Sequence, residues 1–200
     1  MSESLTEAQH RVLLELARSQ VDLHVGSGKR LKLAANDPRL DEALRAPGAA
    51  FVTLRNRGTL RGCIGTILAH EPLYESVIGN AVQACLDPRF RSRPITPAEL
   101  NQIDIEISVL SPPRPVDRPE DVVVGRDGVI LTLGGYRGLF LPQVPVEQGW
   151  DRVEYLRQLG RKAGLDLDAY KDPHAVIETF TAQVFGEKER TDPQRNRPQE

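Results

Sequence analysis

The stretch Phe51-Val52-Thr53-Leu54-Arg55-Asn56-Arg57-Gly58-Thr59-Leu60-Arg61-Gly62-Cys63-Ile64-Gly65 reads as two strands about a tight turn. From Ala49 the apolar pattern takes a period of two, and Asn56-Arg57-Gly58 is turn chemistry between two such runs, a hairpin signal. In the second strand alternation puts Leu60, Gly62, Ile64 and Thr66 on one face, and Arg61, Cys63, Gly65 and Ile67 on the other. Arg61 and Cys63 are therefore expected to point the same way, roughly 6–7 Å apart at the backbone, a gap a long arginine side chain can close.

Working outward, Thr6 to about Ser19 is expected to be a helix. Thr6 caps it, Gln9 completes a capping box, and Val12, Leu13, Leu16 and Ala17 form its apolar stripe. Pro38 to Leu44 suggests a short helix. Pro72 opens another, whose stripe of Leu73, Val77, Ala81, Ala84 and Cys85 ends at Asp87-Pro88. Thr96-Pro97-Ala98-Glu99 is a further helix start. Ile103, Ile105, Ile107 and Val109 face a core, with Asp104, Glu106 and Ser108 on the opposite side. Val122–Val124 and Val129–Leu133 about Arg126-Asp127-Gly128 predict a second hairpin, and Gly134-Gly135 leads to another strand at Leu139–Leu141. Asp151 to Ala163 predicts a helix with Val153, Leu156, Leu159 and Ala163 inward, and Thr179–Phe185 a last strand. Adjacent hairpins separated by helices favour α+β with a mostly antiparallel sheet and flanking helices.

At 200 residues the chain can bury a core without disulfides or metal. A hydrophobic share of 40% and a charged share of 27% are those of a soluble globular protein. The net charge of -2 gives no overall basic footprint, which argues against nucleic acid and an anionic membrane as partners. Two cysteines make no disulfide framework, so reduced thiols and a cytoplasmic location are expected. Neither a signal-peptide pattern nor an apolar run of membrane-spanning length is seen. The motifs call for no cofactor and no metal. From residue 187 to 200 the composition predicts a charged, disordered tail after a single domain over 5–186.

Cys63 is the first site candidate. Its flanking glycines leave it approachable, and a guanidinium nearby favours the reactive thiolate. The plainer reading is a structural cysteine in a tight hairpin. A nucleophile needs a base, for which His24, His70 and His174 are available. Glu106 is the second candidate, a general acid/base or ligand anchor, or simply one polar residue of a half-exposed strand. Asp87-Pro88-Arg89-Phe90 is the third: Arg89 can hold an anion, or pair with Asp87 to stiffen a turn. Lys162 reads as solvated helix surface and Cys85 as core filler.

Leu60-Arg61-Gly62-Cys63-Ile64-Gly65 resembles the hallmark of the AMMECR domain family. The likeness extends through Asp87-Pro88-Arg89-Phe90, Ile105–Leu110, Leu141-Pro142-Gln143-Val144, Trp150 and Lys162-Ala163-Gly164-Leu165, in order over about residues 10–185. The resemblance implies an α+β fold with a larger and a smaller lobe around the hexapeptide. It also implies a place beside a Memo-like protein and a radical S-adenosylmethionine protein, as the stand-alone first member of a three-part system. By position the family pattern touches Arg61, Gly62, Cys63, Gly65, Asp87, Arg89, Glu106, Gln143 and Lys162 and transfers no catalytic role; from the residues themselves Cys63, Arg61 and Glu106 are the expected catalytic residues. Gly62, Gly65, Asp87, Arg89 and Gln143 are the expected binding residues for a small-molecule ligand. Two functions stay open: a cysteine-dependent component of that system, or a non-catalytic adaptor for the same partners. Nucleic-acid binding is a distant third.

Overall fold

The structure, a computed structural model, describes residues 4–34 and 36–188. Its elements run α1 (Glu7–Ser27), α2 (Glu42–Arg45), β1 (Ala49–Asn56), β2 (Thr59–Gly65), α3 (Leu73–Cys85), β3 (Ile103–Leu110), β4 (Arg114–Pro115) and β5 (Gly128–Leu133). They continue with β6 (Tyr136–Phe140), α4 (Gln143–Gln148), α5 (Arg152–Lys162), β7 (Val176–Phe180) and β8 (Ala182–Gly186). The expected α+β class holds, as two four-stranded sheets with helices. The chain forms two compact units, one to Val109 and from Gln183 onward, the other from Leu110 to Ala182.

In the first unit the sheet order is β2-β1-β3-β8, so β2 is an edge strand. Leu13, Leu16, Ala17 and Val21 of α1 and Val77, Ile78, Ala81 and Ala84 of α3 bury one apolar stripe each. With them pack Ala50, Val52 and Leu54 of β1 and Ile103, Ile105 and Ile107 of β3. The Thr6–Gln9 capping box starts α1 as its sequence predicts. The helix runs eight residues past its expected end at Ser19. Gln20 points inward, but its amide donates to the Lys29 carbonyl at 3.1 Å and accepts from Leu31 N–H at 2.7 Å. A satisfied polar group can continue an apolar stripe. Gly28, at φ 69°, then ends the helix in the left-handed region. Thr96–Glu99 does start a helix, but of the 3-10 type, Pro97–Gln102.

In the second unit the order is β4-β7-β5-β6. The hairpin expected about Arg126-Asp127-Gly128 is absent. The Asp127 carboxylate accepts the Val123 N–H at 2.8 Å and holds that segment as a turn. β5 pairs instead with β6 across Gly134 and Gly135, both at positive φ. The inward stripe of α5 uses Tyr155, Leu156 and Leu159, while Val153, expected inside, is exposed. Tyr155 can enter the core because its hydroxyl donates to the carbonyls of Asp127 and Phe140 at 3.2 and 3.3 Å. The strand expected over Thr179–Phe185 is two strands, β7 and β8, broken at Thr181 and placed in different sheets.

The expected tail falls, except for Glu187 and Lys188, outside the described residues. Glu187 accepts the Ile105 N–H at 3.0 Å and pairs with Arg18, so it is fastened to the first sheet. Lys188 pairs with Asp104 at 2.6 Å.

Candidate functional site around Cys63

The hairpin β1–β2 forms as its turn residues predict, with Arg57 at φ 48° and Gly58 at φ 85°. The register then slips. Asn56 and Arg55 face Thr59 and Leu60, whereas Leu54 faces Gly62, so Arg61 has no partner across the ladder. This one-residue bulge overturns the expected alternation through Arg61. The Arg61 guanidinium goes to Glu99, at 3.1 Å, and to the Pro94 carbonyl, at 3.3 Å. Glu99 also accepts from the Asn56 side chain and the Thr96 N–H, which together hold its carboxyl below the usual range. Arg61 is thus a buried tie between the hairpin and the segment before β3.

The same slip sets Cys63 opposite Thr53. The two face away from the helices, and the Thr53 hydroxyl donates to Cys63 Sγ at 3.3 Å. Thr53 is buried and Cys63 half-exposed. Thr53 had no sequence signal apart from this register.

Asp87 and Arg89 do come to Cys63. The Asp87 carboxylate, 1% exposed, accepts the Cys63 N–H at 3.0 Å. Arg89 Nη2 donates to the Cys63 carbonyl at 3.1 Å. The two side chains take the place of a further strand along the β2 edge, giving its open backbone groups partners. Arg89 also pairs with Asp87 at 2.6 Å. Its guanidinium, with the Cys63 N–H, pulls the Asp87 carboxyl down to about 2. Arg89 in turn is raised, mainly by its hydrogen bond to Asp87. The guanidinium that reaches Cys63 is that of Arg89, at the main-chain carbonyl.

The glycines of the motif make room for close approach. A Cβ on Gly62 would lie 2.0 Å from the Ala84 carbonyl oxygen in α3. One on Gly65 would lie 2.2 Å from the Phe51 ring.

Glu106 is half-buried on β3, on the sheet side opposite the Ile103–Ile107 core row, as is the buried Ser108. It shares that side with Thr53 and Cys63, but β1 stands between β3 and β2. Two strand spacings amount to about 10 Å, so proton exchange between Glu106 and Cys63 needs a bridging molecule. Gln143 opens α4 in the second unit, where Lys162 lies over the Phe140 ring with Nζ 4.2 Å from its centre. Cys85 packs on the core, and burial raises its thiol to about 11. His70 and His174 are exposed. His24 lines a hollow of about 270 Å³ between the end of α1 and α3 that does not include Cys63. Among the described residues no three His, Cys, Asp or Glu side chains are grouped to hold a metal, and no helix is long and apolar enough to cross a membrane.

The sequence model of the AMMECR1 family matches residues 14–185. The chain belongs to the AMMECR1 family. A family protein of Methanothermobacter thermautotrophicus is 40% identical over 190 residues, covering 92% of this chain and 96% of its own. One of Thermococcus gammatolerans is 41% identical over 197 residues, covering 93% and 94%. The crystal structure of an uncharacterised Pyrococcus horikoshii protein superposes with a TM-score of 0.83 at 35% identity, over 92% of this chain and 94% of that one. The fold of this chain is thus that of the Pyrococcus horikoshii protein.

Proposed function

We propose that this AMMECR1-family protein acts through Cys63, as a cysteine-dependent component that presents a thiolate to an electrophilic or thiol-binding partner group. One observation carries the reading. Cys63 is half-exposed, and both its main-chain groups are held by an ion-paired Asp87–Arg89 clamp. Cys85, by contrast, is packed on the core. Thr53 donates to the Cys63 sulfur at 3.3 Å, and Arg89 holds the carbonyl of the same residue. Asp87 and Arg89 act here as positioning residues. Glu106 would meet the thiol only through a bound molecule, which is where proton transfer by it would belong.

The partners in this reading are the Memo-like and radical S-adenosylmethionine proteins of the three-part system. The test is alkylation of the native protein with iodoacetamide across pH, with the modified peptide identified. Labelling of Cys63 in the folded chain while Cys85 stays unlabelled supports the reading. Labelling of Cys63 only after denaturation defeats it. Co-purification of Cys63→Ser with the two partners then separates chemistry from docking: retained binding with lost output favours the thiol, and unchanged output favours an adaptor.

A further inference from the structure

Residues 87–94 run along the outer edge of β2. They touch it at Cys63, through Asp87 and Arg89, and at Arg61, through the Pro94 carbonyl. Between those contacts stand Arg91 and Arg93, both exposed, and Arg57 is exposed at the hairpin turn. From residue 51 to 94 the chain carries six arginines, Arg55, Arg57, Arg61, Arg89, Arg91 and Arg93, and no lysine.

The three carboxylates between residues 75 and 99 are already engaged. Asp87 is paired with Arg89, Glu99 with Arg61, and Glu75 with Arg30. Among the described residues the side chains of Arg91 and Arg93 have no ion pair or hydrogen bond. A chain with net charge -2 thus carries unpaired positive charge on the segment that clasps the main chain of half-exposed Cys63. Like charges held together oppose folding and gain nothing from each other. Arginine, unlike lysine, presents a planar fork matched to the two oxygens of a carboxylate or phosphate.

We infer that Arg91 and Arg93 form the receiving edge for an oxyanionic group, phosphate or carboxylate, on the ligand that reaches Cys63. The placement of the ligand's other end rests on the reading of Cys63 as the acting thiol. The capture of the anion does not.

The test compares Cys63 alkylation by iodoacetate and iodoacetamide at low ionic strength, in the native chain and in urea, with the site identified by peptide mass. In both reactions the thiolate sulfur displaces iodide from the methylene carbon, and the thiol proton passes to buffer. The ratio of the acetate to the amide rate is expected to be about tenfold higher in the native chain than in urea, the lower end of electrostatic focusing. It should fall to the urea value in high salt and in the Arg91→Gln/Arg93→Gln variant. Pyrophosphate and malonate are added as competitors: stronger protection by the first assigns phosphate, by the second carboxylate. A native ratio equal to that in urea, or one the double variant leaves unchanged, overturns the inference. If neither reagent labels native Cys63, the thiol reading fails by itself. Calorimetric titration of pyrophosphate and malonate then decides the anion question: binding lost in the double variant sustains it, and no binding to the unaltered chain overturns it.

Discussion

The buried carboxylate of Asp87 accepts the main-chain N–H of Cys63 at 3.0 Å, while its ion-pair partner Arg89 donates to the carbonyl of the same residue. Asp87→Asn keeps the shape and removes the charge. The exposed side of Arg89 limits the loss, so we expect destabilisation of about 1–3 kcal/mol at pH 7, measured by urea unfolding. The folded carboxyl sits at about 2, below its unfolded value of 3.8. Its contribution is therefore fully present above about pH 4 and lost as pH falls toward 2. The gap between the two proteins should close over that window, and a gap that persists at pH 2 would contradict the clamp.

Arg61→Gln tests which arginine serves the thiol. Arg61 is tied to Glu99 and the Pro94 carbonyl. Its loss should cost about 2 kcal/mol, the range of hydrogen bonds to charged groups. The Cys63 alkylation rate of the folded variant should stay within about twofold of the unaltered chain, whereas Arg89→Gln should slow it severalfold. The reverse ranking would restore Arg61 to the thiol.

Gly62→Ala would force a Cβ to 2.0 Å from the Ala84 carbonyl oxygen, a backbone atom of α3 that cannot swing aside. Overpacking of this kind costs about 3 kcal/mol or more, so the variant should unfold at much lower urea or fail to accumulate as folded protein. A stability loss under about 1 kcal/mol would mean that α3 yields easily, against the rigidity expected of a packed interior.

Much of this architecture was legible because simple periods carried it. The Thr6–Gln9 box, the alternation of Ile103–Val109 and the turn at Arg57-Gly58 all form as their sequence dictates. What failed did so where one polar side chain was satisfied by a distant backbone group. Gln20 extended α1, Asp127 replaced a hairpin with a turn, and Tyr155 took the place expected of Val153. The site failed in a single step. The two-residue turn alone sets Thr53 against Gly62, and only the bulge at Arg61 brings Thr53 to Cys63. A bulge is a tertiary choice, made here by Glu99 and Pro94, and no local pattern announces it.

The two cysteines should separate cleanly by reactivity. Burial raises the Cys85 thiol to about 11, so almost none of it is thiolate at pH 8. Alkylation at that pH followed by peptide mapping should find Cys63 modified and Cys85 intact until urea unfolds the chain. Equal labelling of both in the folded protein would contradict the packing of Cys85 against the core.

His10 stacks on Phe185 with ring centres 3.9 Å apart, joining α1 to β8. Its Nε2 is buried with no hydrogen-bond partner among the described residues, and burial lowers its pKa despite the opposing pull of Glu7. The fold therefore holds the neutral ring. Because the unfolded chain binds the proton more tightly, stability from this group is present above the unfolded value near 6.5 and is lost as pH falls below it toward the lower folded pKa. His10→Phe keeps an aromatic stack on Phe185 and removes the titration. Urea unfolding at pH 8 should differ by no more than about 1 kcal/mol from the unaltered chain. Between pH 7 and pH 5, as approximate limits of histidine titration, the variant should lose less stability than the unaltered chain. Equal losses in both proteins over that interval would show that the ring accepts its proton without leaving Phe185, and that α1 and β8 are not coupled through a neutral His10.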